Sequence, residues 1–323
     1  MSFTIWLADQ TLSVSDKAVF FSSNQILGST SDLELQTAAA VITSFMGKYL
    51  DAAAGIAEFQ VSVGAEIGTN EGVHGVWVTP HLVLRNQQNA ASSITLGIAL
   101  LVTYADLPKP TTALWGGATE LMSPPVAAGA QILGQLQQPV QWLTAGLSGF
   151  DLTFSDQADH WFYDLTAYVG VSPISGAQLA LQGQATIADD SQHWGVAPVQ
   201  GTAIAIASDD DGYPFLQYKQ VNVSSLGVVS STAQWTTTPF APASYGVFLT
   251  GFALSMGAKS DTKITQISVA ANASKPSFDG DVLTMGVAVT AEVFDNSTSN
   301  VLQLATVSYV ALVMAPAPST PRS

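Results

Sequence analysis

The sequence contains no cysteine. That excludes a disulfide framework, a thiolate metal site and a cysteine nucleophile, and it leaves the redox compartment unmarked. Charge is scarce as well: Asp, Glu, Lys and Arg make up 10% of the 323 residues, where soluble domains usually carry ~25%. Nine Lys plus Arg against 24 Asp plus Glu give a net charge of −15. Such a surface repels phosphate backbones instead of releasing their counterions, so nucleic acid is not expected as a partner.

Long hydrophobic runs are missing too. The longest, from Ile94 to Ala105, has 12 residues and is broken by Thr95, Gly97 and Thr103, whereas a spanning helix needs ~20. Membrane insertion is therefore not expected. The opening MSFTIWLADQ has neither basic residues nor the apolar core of a secretory signal. We expect a protein made in the cytoplasm that becomes part of a virion or of an extracellular or exported assembly. No P-loop, dinucleotide fingerprint, Gly-x-Ser-x-Gly elbow or His-Glu-x-x-His occurs, so no catalytic residue, metal or cofactor is assigned and the chain is read as a non-enzyme.

What is present is apolar and extended. Hydrophobic residues reach 47% and mean hydropathy is +0.30, enough to fill the cores of two or three domains. With so little charge, the surface is either polar-uncharged or buried against other subunits. Segments such as Phe150-Asp151-Leu152-Thr153-Phe154 alternate apolar and polar residues, the period of a half-buried strand. Gly149-Phe150-Asp151-Leu152 answers to Gly251-Phe252-Ala253-Leu254, and Ala185 to Asp190 answers to Ala291 to Asn296. Each copy closes on an apolar strand, Thr202 to Ala207 in one and Val307 to Ala315 in the other. Residues 56–107 repeat the plan loosely and count as a divergent third copy.

The expected fold is mainly β: two or three repeated antiparallel β-sandwich-like units with one or two short packing helices. Residues 1–55 read as an N-terminal arm with strands and an amphipathic helix. Its start is the capping box Ser31-Asp32-Leu33-Glu34, and its stripe is Leu35, Ala38, Ala39, Ile42, Phe45, Met46 and Tyr49. The first β unit is 56–107. Residues 108–146 form a connector with a short helix from Val126 to Gln138, entered through Pro124-Pro125 and stopped by Pro139. The second unit is 147–208, 209–247 a linker segment, 248–315 the third unit, and 316–323 a Pro-rich tail.

The residues most suggestive of a site lie in two loops of the second unit. They are Asp159, His160 and Trp161, and Asp189, Asp190, His193 and Trp194. Indole faces beside carboxylates and imidazoles suit a sugar, with C–H groups on the ring and hydroxyls on the acids. The competing role is structural, with Trp residues plugging the end of the unit and acids capping turns. The third unit has neither His nor Trp at the matching places, so the cluster is no rule of the repeat. His74 and His81 with Glu71 lack a further ligand, and Asp209-Asp210-Asp211-Gly212 lacks the alternate spacing of a calcium loop. The functional expectation is a structural, self-assembling β-repeat protein, a subunit of a capsid, tail, fibre, sheath or similar assembly, whose partners are copies of itself. The alternative is a lectin-like protein that binds cell-surface glycan through the second-unit loops.

Overall fold

In the computed structural model of the chain, the described residues are 2–13, 15–27, 34–105, 112–119, 131–135, 140–154, 156, 158–161, 163–173, 178–189, 191, 193–207, 214–223, 227–256, 263–296 and 300–315. They are nearly all strand. The first third of the chain contributes β1 (Ser2–Leu12), β2 (Val19–Ser22), helix α1 (Ser23–Leu27), β3 (Glu34–Tyr49), β4 (Glu58–Asn70), β5 (Val73–Arg85) and β6 (Ser92–Ala105). The second contributes β7 (Thr112–Ala118), β8 (Gln131–Gln135), β9 (Val140–Thr153), β10 (Asp164–Pro173), β11 (Gln178–Ala188), β12 (Trp194–Ala197) and β13 (Val199–Ala207). The last contributes β14 (Pro214–Val223), β15 (Val228–Thr236), β16 (Ser244–Ser255), β17 (Gln266–Ala273), β18 (Ser277–Asp279), β19 (Val282–Phe294) and β20 (Leu304–Met314).

Three antiparallel sheets result, and each is shared between two thirds of the chain. One runs β1-β6-β3-β17-β19-β15 with β18 on β19, the next β12-β11-β10-β16-β20-β14 with β8 on β11, and the last β2-β5-β4-β9-β13-β7. Each third therefore builds two three-stranded halves, β1-β6-β3 and β2-β5-β4 in the first, and joins each half to a different neighbour. The joints are β3 with β17, β9 with β4 and β16 with β10. The pairing closes on itself in a ring of three. Self-contained sandwich units are not what this pairing gives, because no third pairs only with itself.

The joints match residue for residue. Phe45, Phe150 and Phe252 lie opposite Val269, Val61 and Ala167, the fourth residue of the facing strand in every case. Past the joint, the Tyr49 N–H donates to the Thr265 carbonyl (2.9 Å), the Phe154 N–H to the Ala57 carbonyl (3.3 Å) and the Met256 N–H to the Tyr163 carbonyl (3.0 Å). Each of the three joint strands also carries a bulge close to the joint, which skips Thr43, Ser148 or Thr250, all buried. A hydroxyl side chain suits a bulge because it can bond backbone that has left the ladder. Ser148 does so, donating to the Ala40 carbonyl at 2.9 Å.

The three joint strands meet in the centre. Phe45, Phe150 and Phe252 pack ring against ring, with centroids 5.1 to 5.7 Å apart. Beyond the bulges, Val41 and Phe248 close on Gly146, where a Cβ would stand 2.5 Å from Val41 Cγ1 and 3.1 Å from Phe248 Cδ2. A glycine is required there because its two neighbours already fill the space.

Several expectations are corrected. Residues 34–49, expected as a helix, form β3. Its two bulges, after Leu35 and after Ile42, each shift the in-out alternation by one residue. The buried positions Leu35, Ala39, Ile42, Phe45 and Tyr49 then recur at helical spacing on a strand rich in β-branched and aromatic residues. Of the helix expected over 126–138, residues Gln131–Gln135 are strand β8, paired to β11; Gly134 weakens a helix there, and the rest lies outside the described residues. The one helix among the described residues is the five-residue α1. The stretch 209–247 holds strands β14 and β15. Ser31 to Leu33, Asp209 to Gly212 and the tail 316–323 lie outside the described residues.

Candidate functional site

The loop that follows β11 turns on Asp189. Its Oδ1 accepts the backbone N–H of Ser191 (2.9 Å) and of His193 (2.8 Å), and its own N–H donates to the His193 carbonyl at 3.1 Å. The first third makes a similar turn after β5, where Asn86 Oδ1 accepts the Ala90 N–H at 2.7 Å. A side-chain oxygen closing on the N–H four residues ahead is thus the common device of both turns.

Asp189 differs from Asn86 in what its second oxygen does. Oδ2 lies 2.6 Å from His160 Nδ1 and 2.7 Å from His193 Nδ1. His160 reaches it from the loop between β9 and β10, which two backbone hydrogen bonds tie to Ile56 of the first third. On its other side, His160 Nε2 lies 2.7 Å from Asp156 Oδ1. The ring packs against Phe154 at 4.2 Å and against His193 at 4.6 Å between centroids. His160 and Asp189 are buried and His193 is exposed.

A neutral imidazole has one N–H, so only the imidazolium can donate from both nitrogens to two carboxylates. Burial pushes the His160 pKa down, but hydrogen bonds and attraction from Asp156 and Asp189 outweigh it and hold the ring above the usual histidine range. Burial likewise pushes Asp189 up, and hydrogen bonds from His193 and His160 overcome this and keep its carboxyl below the usual carboxylate range. Asp156 is lowered by its bond to His160 and then by the Ala158 N–H. The cluster is a charged chain from Asp156 through His160 to Asp189, with His193 hydrogen-bonded at its end. His160, Asp189 and His193 also offer three ligand atoms within 4.8 Å of one another.

Of the expected site residues, the structure brings together His160, Asp189 and His193. Asp159 is turned away, its Oδ1 accepting the Gln87 N–H at 2.6 Å. Trp161 and Trp194 are exposed and each follows a histidine of the cluster in sequence; Lys263 Nζ stands 5.9 Å from the Trp161 ring centroid. Asp190 lies outside the described residues. Asp156 was missed, and its only signal is its place four residues before His160. His81 pairs with Asp16 at 2.6 Å on the exposed surface, and His74 is not part of that contact.

The fold defines an all-β protein of three antiparallel sheets joined in a ring. No protein-family model, no curated protein and no solved structure matches the chain.

Proposed function

We propose that the chain is a structural, self-assembling β protein, a non-catalytic subunit of a capsid, tail, fibre, sheath or similar assembly, with copies of itself as partners. One observation carries the reading: on a molecule with few charges, strands leave large apolar side chains outside, Trp142 on β9, Tyr168 on β10, Tyr218 on β14 and Val228 on β15. Exposed aromatic and apolar groups with little surrounding charge favour contact with another protein surface. The shared sheets support the same role, since a core tied together from all three thirds is a rigid building block. An assembly of this kind belongs in a virion or an exported structure. Among the described residues no helix is long and apolar enough to cross a membrane.

The test is the mass in solution. Light scattering after size-exclusion chromatography, with negative-stain electron microscopy of the same fractions, should show oligomers or regular particles. A monomer at every concentration sinks the reading.

The exposure of Trp161 and Trp194 favours a second reading, a lectin-like site on the second-third loops. It has less support than its residue types promise, because both Asp189 oxygens are engaged within the protein and Asp159 faces Gln87. Glycan-array binding that disappears in Trp161→Ala with Trp194→Ala would support it, and binding unchanged in that pair would remove it.

A further inference from the structure

The fold does not need the histidines. The turn after β5 reproduces the turn after β11 with the same hydrogen bond across four residues, yet it has Asn86 where the second third has Asp189 and Ala90 where it has His193. At the position of His160, the first third has Ala54. Both residues lie four before the start of the following strand and both bridge to the neighbouring loop, Ala54 to Ile264 and His160 to Ile56. A neutral amide and two methyl groups therefore suffice for the architecture. The second third instead accepts a buried imidazole and a buried carboxylate, groups that are costly to bury, with a second, exposed imidazole beside them.

We propose that His160 Nδ1, His193 Nδ1 and Asp189 Oδ2 form a binding site for one divalent transition-metal ion of the zinc class, with Asp156 fixing the orientation of His160. The donor set decides the class. Two imidazoles and one carboxylate suit zinc and its neighbours, whereas calcium and magnesium take oxygen donors. Each of the three residues offers a ligand atom within 4.8 Å of the others, and both Nδ1 atoms already touch Asp189 Oδ2. Ligands on a tetrahedral ion at ~2.0–2.1 Å stand about 3.3 Å apart, so the hydrogen-bonded contacts of 2.6 and 2.7 Å need to open by less than about 1 Å. The Asp156 carboxylate on Nε2 leaves Nδ1 as the coordinating nitrogen of His160, the usual arrangement in which a metal-bound imidazole donates its other N–H to an acid. Exposed His193 puts the remaining coordination position at the surface, where water can fill it.

Proton balance follows from the same contacts. His160 gives up its Nδ1 proton to solvent when the ion takes that nitrogen and keeps the Nε2 proton on Asp156. His193 coordinates through Nδ1 only with that nitrogen unprotonated, so its Nδ1 contact to Asp189 gives way to the ion. Binding thus displaces protons from the ligands, and affinity rises with pH.

The test uses the full chain, stripped with a chelator, titrated with Zn²⁺ by calorimetry and with Co²⁺ by visible absorption at neutral pH. We expect one equivalent bound and tetrahedral Co²⁺ bands. His193→Ala, at an exposed position whose counterpart is already Ala90, should weaken binding at least ~10-fold. Asp189→Asn, which keeps the turn bond as Asn86 does, should do the same. His81→Ala removes the other histidine–acid pair and should change nothing. Absence of binding, affinity equal in wild type and both site variants, or loss in His81→Ala overturns the proposal. Metal and mass are separate measurements, so failure here leaves the assembly reading standing, and a monomeric protein leaves this site standing.

Discussion

Phe45 and Phe252 stand 5.1 Å apart, ring centroid to ring centroid, although 207 positions separate them in the chain (252 minus 45). Phe150 closes the triangle at 5.7 and 5.6 Å. The contact exists because each ring occupies the same place on its own joint strand, so one small cluster holds all three thirds together. Removing any one ring leaves a cavity at the point where all the sheets converge.

Phe150→Ala should therefore cost about 3–5 kcal/mol, the range for a fully buried phenylalanine, read as a shift in the urea midpoint at unchanged slope. The double variant with Phe252→Ala should cost less than the sum, because each single change already removes their shared contact. Strict additivity would show that the triangle is not one packing unit.

Gly146 makes the complementary prediction. Its Cα lies against Val41 and Phe248, and a methyl group there has no room. Gly146→Val should destabilise by roughly 1–3 kcal/mol through overpacking, and Phe248→Leu in the same chain should restore part of it by freeing volume. A Gly146→Val protein as stable as wild type would mean that the three joint strands can separate freely at this level.

The sequence made part of this visible. Gly149-Phe150 and Gly251-Phe252, matched by pattern alone, do sit at one position on β9 and β16, and from Phe150 and Phe252 onward, past the bulges at Ser148 and Thr250, the alternation is intact. The first third escaped because β3 carries two bulges within 16 residues, and two phase shifts turned a strand into an apparent helix. Nothing in a local pattern marks β3 and β17 as neighbours, because that joint links the first third to the last. At the site, His160, Asp189 and His193 could be found as residue types common to two loops. Asp156 could not, as a lone acid in a polar turn has no period to betray it. Asp159, chosen for its place beside His160, serves the Gln87 backbone instead.

The pH response of the metal-free protein follows from the charged chain. His160 has a raised pKa, so its share of stability is fully present below about pH 6.5, the ordinary histidine value, and is lost as pH rises through the raised value. Asp189 and Asp156 are lowered, so their share is present above about pH 3.9 and lost as pH falls through their folded values. The stability gap between wild type and His160→Gln should be widest between those limits and should narrow on the alkaline side. Chemical unfolding of both proteins across that range checks this. A gap that widens with rising pH contradicts an imidazolium held between two acids.

The assembly reading can be probed at the sheet margins. β14 pairs only with β20 and β15 only with β19 among the described residues, so each is the last strand of its sheet. The two edges come together where one sheet turns into the next: the Gln234 N–H donates to Gln217 Oε1 at 3.1 Å, and Trp235 Nε1 donates to the Leu216 carbonyl at 3.4 Å. Tyr218 and Val228 stand exposed on these strands, where a charge is the common means of blocking edge contact. Tyr218→Lys and Val228→Glu should each change folding stability by no more than about 0.5 kcal/mol, as expected for exposed positions, while shifting the mass distribution toward monomer in sedimentation velocity. Dissociation without destabilisation would place a subunit contact on these edges. An unchanged distribution in both variants would exclude them and leave Trp142 and Tyr168 as the surfaces to charge next.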